Sequence, residues 1–155
     1  MLQVELEGKQ VEVSAFLADP ALKFEYTSTL YVRFEVADGF HVYANPLPEG
    51  FVATTAGVID TVGVRVGEAV YPPTHAREFP ELGVTLNVYE NTADIAIPIA
   101  LGAEILDWPL KDKPTEISIL IDVVYQACSE TVCFRPRTET VELQVPIEPL
   151  AMPGG

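Results

Sequence analysis

Apolar and polar residues alternate in short runs along most of the chain, and Gly, Pro, Asn and Asp punctuate the runs. Leu30, Val32, Phe34 and Val36 alternate with Tyr31, Arg33 and Glu35 until Asp38-Gly39 stops the pattern. A period of two puts every second side chain on the same face, so this stretch predicts a half-buried β-strand. Residues 2–6 and 11–13 show the same alternation, with Glu7-Gly8-Lys9 between them as a tight turn. Further strands are expected over 40–43, 84–89, 95–100, 116–126 and 138–145, and one or two over 58–70, broken by Gly63 and Gly67. About eight or nine strands at this spacing predict an all-β antiparallel sandwich.

Helical periodicity is nearly absent. Residues 101–110 have room for one helical turn, limited by Pro109 and Pro114. Most of the 13 prolines fall between the runs, where they shape connections and protect sheet edges. A length of 155 residues fits one domain, and about 69% of the unfolded surface can be buried at that size. The Pro- and Gly-rich residues 147–155 resemble the start of a linker, which leaves 1–146 as the expected domain.

Composition narrows the function. A 48% hydrophobic content excludes wholesale disorder. A formal charge of −14 repels phosphate backbones, so nucleic acid is not an expected partner. No run approaches 18 uncharged apolar residues, so no membrane-crossing helix is predicted. Met1-Leu2-Gln3-Val4-Glu5-Leu6 has neither a basic nor an apolar leader region, so no signal peptide is expected on this chain. That is consistent with a cytosolic protein or with a mature exported segment.

The two cysteines carry the candidate chemistry. Cys128 and Cys133 are separated by four residues between predicted strands, in Tyr125-Gln126-Ala127-Cys128 and Cys133-Phe134-Arg135-Pro136. A four-residue hairpin loop would set their Cα atoms opposite each other, within the roughly 4.4–6.8 Å that a disulfide needs. Closing a ring of about six residues removes only about 2.2 kcal/mol of unfolded-state entropy. A bond between strands that already form a hairpin stabilises little and is accessible, which suits one that is made and broken. If Cys128 faces Cys133, the apolar sets Ile117/Ile119/Ile121/Val123 and Val141/Leu143/Val145 point to opposite faces, and a one-residue slip restores them. A bulge or kink near Pro136 is therefore predicted. Arg135 and Arg137 favour a thiolate while Glu130 opposes it, so thiol pKa values near the ordinary one are expected.

The stretch Tyr125-Gln126-Ala127-Cys128 to Cys133-Phe134-Arg135-Pro136, with Phe40-His41-Val42-Tyr43-Ala44-Asn45-Pro46 and Asn87-Val88-Tyr89-Glu90, resembles the N-terminal periplasmic domain of the thiol:disulfide interchange protein DsbD. Order and spacing agree over about residues 20–146. The resemblance implies an immunoglobulin-like sandwich and a protein-disulfide reductase type of activity, with the reversible Cys128–Cys133 disulfide as its redox group and no other cofactor. It implies a periplasmic location. Implied partners are thioredoxin-like domains, periplasmic disulfide isomerases and cytochrome-maturation proteins. Cys133 would form the mixed disulfide and Cys128 would resolve it. A cap loop shields the pair in that family, and Glu78-Phe79 is the nearest match here. Tyr125, Phe134 and His41 are expected around the pair. The membrane-embedded and thioredoxin parts of the full family protein are expected either beyond Gly155 or on other chains.

Two other readings stay open. One is a sandwich binding module with a purely structural hairpin disulfide, with Tyr26, Tyr31, Tyr43, Tyr71, Tyr89 and Trp108 offering a stacking surface. The other is a copper or zinc site that joins Cys128 and Cys133 to His41 and His75. The histidines share no ligand spacing, and no metal is assigned.

Overall fold

The computed structural model describes residues 10–24, 26–61, 63–80, 83–102, 116–129 and 132–148. They form eleven strands: β1 (Val11–Leu17), β2 (Ser28–Val36), β3 (His41–Tyr43), β4 (Thr55–Val58), β5 (Val64–Val66), β6 (His75–Phe79), β7 (Val84–Tyr89), β8 (Thr92–Leu101), β9 (Glu116–Tyr125), β10 (Ala127–Cys128) and β11 (Arg137–Pro146). The strands make three sheets with orders β1-β2-β8-β5, β10-β3-β7-β6 and β11-β9-β4. All pairings between named strands are antiparallel. The architecture is the immunoglobulin-like sandwich.

The alternation in the sequence sets the layers. In β2, Leu30, Val32, Phe34 and Val36 are buried, while Tyr31, Arg33 and Glu35 lie on the outer face. Ile95, Ile97 and Ile99 of β8 and Ile117, Ile119, Ile121 and Val123 of β9 complete the same core. Phe34 and Tyr125 meet edge to face across the two sheets, with ring centroids 5.9 Å apart. The outer faces carry paired charges, as where Arg33 Nε and Nη2 donate to the Asp94 carboxylate at 2.8 and 2.9 Å. Such exposed pairs add little stability but keep the outer face wet.

Several expectations are refined. The residues 75–79 form a strand, β6, paired along its length with β7, where a loop was expected. Gly63 separates β4 from β5, as the sequence suggests. Ile147 bridges Leu22 and Glu148 N–H donates to Leu22 O at 2.9 Å, so backbone pairing runs two residues past the expected end of the domain at 146. The turn at 7–9, the helical turn over 101–110 beyond Gly102 and the tail beyond Glu148 lie outside the described residues.

Candidate functional site

Around β3, the sheet β10-β3-β7-β6 buries side chains on both faces, and this places the cysteines. Its register sets Ala127 against Val42 and Val42 against Tyr89, and these three side chains join the main core. The alternate positions project the other way. Cys128, Tyr43, Leu86 and Val88 form a second, smaller buried cluster there, and Val84, Phe79 and Cys133 pack on it. Leu47 and Phe51, from the connection after β3, complete this cluster. All three residues of β3 are buried because each face of the strand meets one of the two clusters.

The chain reaches this sheet through an irregularity next to the cysteines. β9 pairs with β11 as far as Tyr125 opposite Arg137. Two residues later the chain has changed sheets, and β10 pairs with β3 instead. Ala127 O accepts from Phe134 N–H at 2.9 Å, so Arg135 and Pro136 together oppose the lone Gln126, whose Nε2 donates to Phe134 O at 3.2 Å. The pairing register thus slips by one residue near Pro136, as the face argument requires. Pro136 has no N–H to lose in that position.

Cys128 and Cys133 form an isolated antiparallel bridge and a disulfide with an S–S distance of 1.98 Å. Their Cα atoms are 4.1 Å apart, slightly closer than the range expected for opposed cysteines. Ser129 N–H donates to Val132 O at 2.7 Å and closes the loop tip. Cys128 is 1% exposed, whereas Cys133 is partly exposed. The Tyr43 hydroxyl lies 4.0 Å from Cys133 Sγ. Burial pushes the Tyr43 pKa above its ordinary value, so the hydroxyl keeps its proton at neutral pH. Around it, Tyr43 meets Phe51 edge to face at 5.2 Å, and His41 lies 5.4 Å from Tyr43 and 5.2 Å from Phe79.

The expected site residues separate into two groups. Phe79 and His41 stand at the disulfide cluster, and the Phe79 ring packs on it. Glu78 is not part of the cover: neighbours in a strand point to opposite faces, and Glu78 is exposed on the far side from Phe79. The inward partner of Phe79 is Arg77, whose guanidinium lies 5.8 Å from the Phe79 ring and 3.2 Å from the Glu90 carboxylate. Tyr125 belongs to the main core, where it packs on Phe34 and donates to Glu139. Phe134 also leans on that core and meets Phe40 at 5.7 Å. Arg135 and Arg137 are exposed, and Glu130 lies outside the described residues.

Tyr43, Phe51, Leu47, Leu86 and Val88 were not foreseen as site residues. Tyr43 lies two positions after His41 and so shares its strand face, a signal present in the sequence. The others come from segments whose pairing with β3 no local pattern reveals. The donor set for a metal does not assemble among the described residues: no three His, Cys, Asp or Glu side chains converge. His75 sits exposed on β6, opposite Val88, and both sulfurs are spent in the disulfide.

A sandwich that holds a short-ring disulfide at a loop tip, half covered by aromatic side chains, defines a thiol–disulfide exchange domain. The chain belongs to the family described as thiol:disulfide interchange protein DsbD, N-terminal, whose model matches residues 11–145. Among solved structures it is similar to the reduced DsbD N-terminal domain of Neisseria meningitidis, with 18% identity over 86% of this chain and 85% of that one and a TM-score of 0.51. It is also similar to the N-terminal periplasmic domain of ScsB from Proteus mirabilis, with 14% identity and a TM-score of 0.56. That likeness covers 90% of this chain and 47% of the ScsB chain. Both are likenesses of fold. A comparison with curated proteins finds no significant match.

Proposed function

We propose that the domain carries electron pairs between thioredoxin-like partners outside the cytoplasm, with Cys133 as the sulfur that partners meet and Cys128 as the resolving sulfur. The observation that supports these roles is the difference in exposure, Cys133 being partly exposed and Cys128 1% exposed. To deliver electrons, the Cys133 thiolate attacks a partner disulfide, forms the mixed disulfide and releases one partner thiolate. Cys128 then attacks Cys133 Sγ, and the second partner sulfur leaves with the electron pair. To receive electrons, a partner thiolate attacks Cys133 Sγ and Cys128 leaves; the partner's second thiolate then attacks its own sulfur in the mixed disulfide, and Cys133 leaves as a thiolate. These steps need no redox group beyond the two sulfurs. Periplasmic disulfide isomerases and cytochrome-maturation proteins are the partners in this reading, and its location is the periplasm.

The deciding experiment is the reduction potential of the pair, read by thiol-trapping mass shifts across a metal-free dithiol/disulfide buffer series. A midpoint above roughly −270 mV is expected. A midpoint below about −300 mV would make the bond structural and overturn the proposal. Trapping by a thioredoxin-like partner should survive in Cys128→Ala and vanish in Cys133→Ala.

A further inference from the structure

Cys133 sits in an apolar rim. Leu47, Phe51, Phe79 and Val84 are, like Cys133, only partly buried, and all pack on the buried Tyr43, Leu86, Val88 and Cys128. None of these side chains carries a charge at neutral pH except an opened cysteine. Phe79 and Val84 belong to β6 and β7, whereas Leu47 and Phe51 come from the connection after β3.

That connection is bonded at both ends. Thr54 N–H and Thr54 Oγ1 both donate to Tyr43 O, at 2.8 and 2.7 Å. Ala44 N–H donates to Asn87 O at 2.8 Å, and Asn87 Nδ2 donates to Pro46 O at 2.9 Å. None of these bonds involves sulfur. Between them the chain lays the Phe51 ring edge to face on Tyr43, with centroids 5.2 Å apart, and the Tyr43 hydroxyl lies 4.0 Å from Cys133 Sγ. Leu47 and Phe51 thus form one wall of the rim, anchored to β3 and β7.

The geometry of a mixed disulfide decides what a partner touches. It places the partner sulfur about 2.05 Å from Cys133 Sγ and the two Cα atoms roughly 4.4–6.8 Å apart. Redox encounters lie at the small end of protein interfaces and bury on the order of 500 Å² per partner, a disc about 13 Å in radius. Centred on Cys133, such a disc takes in Phe51, which stands one ring beyond Tyr43. A small thiol reaches the sulfur without covering that area. We infer that the wall of Leu47 and Phe51 is a docking surface that selects thioredoxin-like proteins over small thiols, an inference that rests on the exchange reading above. Its occupant is the uncharged, apolar surface around the partner's own reactive cysteine. A charged group laid on this rim would lose water and gain no partner. Aromatic side chains near the centre of an interface carry a large share of its binding energy, which makes Phe51 the specificity-determining residue.

The test sets two reductants against the oxidised domain, reduced thioredoxin and dithiothreitol, acid-quenched and read by mass. In Phe51→Ala the ratio of the thioredoxin rate to the dithiothreitol rate should fall at least about fivefold, because only the protein uses the wall. A smaller fall, including equal slowing with both reductants, would overturn the inference and leave the exchange reading intact. A second measurement keeps Phe51 in place. Cys128→Ala is trapped as a mixed disulfide either with a thioredoxin that lacks its resolving cysteine or with glutathione. Hydrogen exchange at the amides of Leu47, Glu49, Gly50 and Phe51 should be at least about threefold slower in the thioredoxin adduct. A smaller difference between the two adducts would overturn the inference. Failure of Cys133 to form the thioredoxin adduct would overturn the exchange reading, and this inference with it.

Discussion

Replacing Phe79 with Ala should make the disulfide react faster and the domain less stable. The Phe79 ring packs on the cluster that holds both cysteines and contacts His41 at 5.2 Å and Tyr43 at 6.5 Å. A partly buried phenyl ring covers on the order of 100 Å² of apolar surface. At 25 cal/mol per Å², its removal forfeits about 2.5 kcal/mol. If attack on the sulfur requires this ring to swing away, that energy is part of the barrier, and its loss accelerates reduction by up to ~70-fold. The same loss should lower Tm by roughly 5–10 °C in a domain of this size. The assay is the second-order rate of reduction by dithiothreitol, quenched with a thiol trap, alongside calorimetry. Phe16→Ala is the control, because Phe16 stacks on Tyr31 at 5.3 Å on a different sheet. It should cost stability and leave the rate alone. A Phe79→Ala rate within twofold of wild type, or an equal gain in Phe16→Ala, would refute the shielding argument.

Reducing the disulfide should lower Tm by only about 4–9 °C, from about 2.2 kcal/mol for a six-residue ring. A fall beyond about 15 °C by calorimetry would mark a structural staple instead. Tyr43→Phe keeps the ring packing and removes a hydroxyl 4.0 Å from Cys133 Sγ, so reaction of the reduced protein with a small disulfide at pH 7 should slow about two- to threefold. A rate equal to wild type would show that the hydroxyl does not support the thiolate. Tyr125 has a folded pKa raised above its ordinary value of 10.0 by burial and by its hydrogen bond to Glu139. The sign follows from linkage: this contribution is complete below pH 10 and is lost as pH rises above it. Denaturant midpoints should therefore fall above pH 10, and less steeply in Tyr125→Phe, which should also cost about 1 kcal/mol at pH 7. An unchanged alkaline slope in that variant would sink the assignment.

The period-two alternation of residues 30–36 and 117–123 made the core strands legible, because a half-buried strand cannot bury a face without that pattern. The slip near Pro136 was legible too, since the two hairpin arms had apolar sets that a continuous register would have aimed at opposite faces. β6 was hidden: His75-Ala76-Arg77-Glu78-Phe79 has little β-branched or alternating apolar character, and its partner β7 holds it in place. β3 was foreseen as a strand, but its burial on both faces depends on the connection that brings Leu47 and Phe51 over it. The cysteine pair was evident from spacing and resemblance. The positions of Tyr125 and Phe134 were not, because the chain changes sheets at Gln126 and their rings stay behind with the main core.

The ladder bonds on either side of the cysteines do not depend on the disulfide for their donors or acceptors. Phe134 N–H to Ala127 O and Ser129 N–H to Val132 O bracket the pair, and neither involves sulfur. When the S–S bond opens, these bonds still tie the two chain segments together, so the effective concentration of one sulfur at the other stays high. Groups held in this way outcompete free thiols by orders of magnitude. In the proposed exchange cycle, a mixed disulfide at Cys133 is therefore short-lived, released by Cys128 before a stray small thiol reaches it. The domain can hand on electrons quickly without remaining bound to the partners it serves.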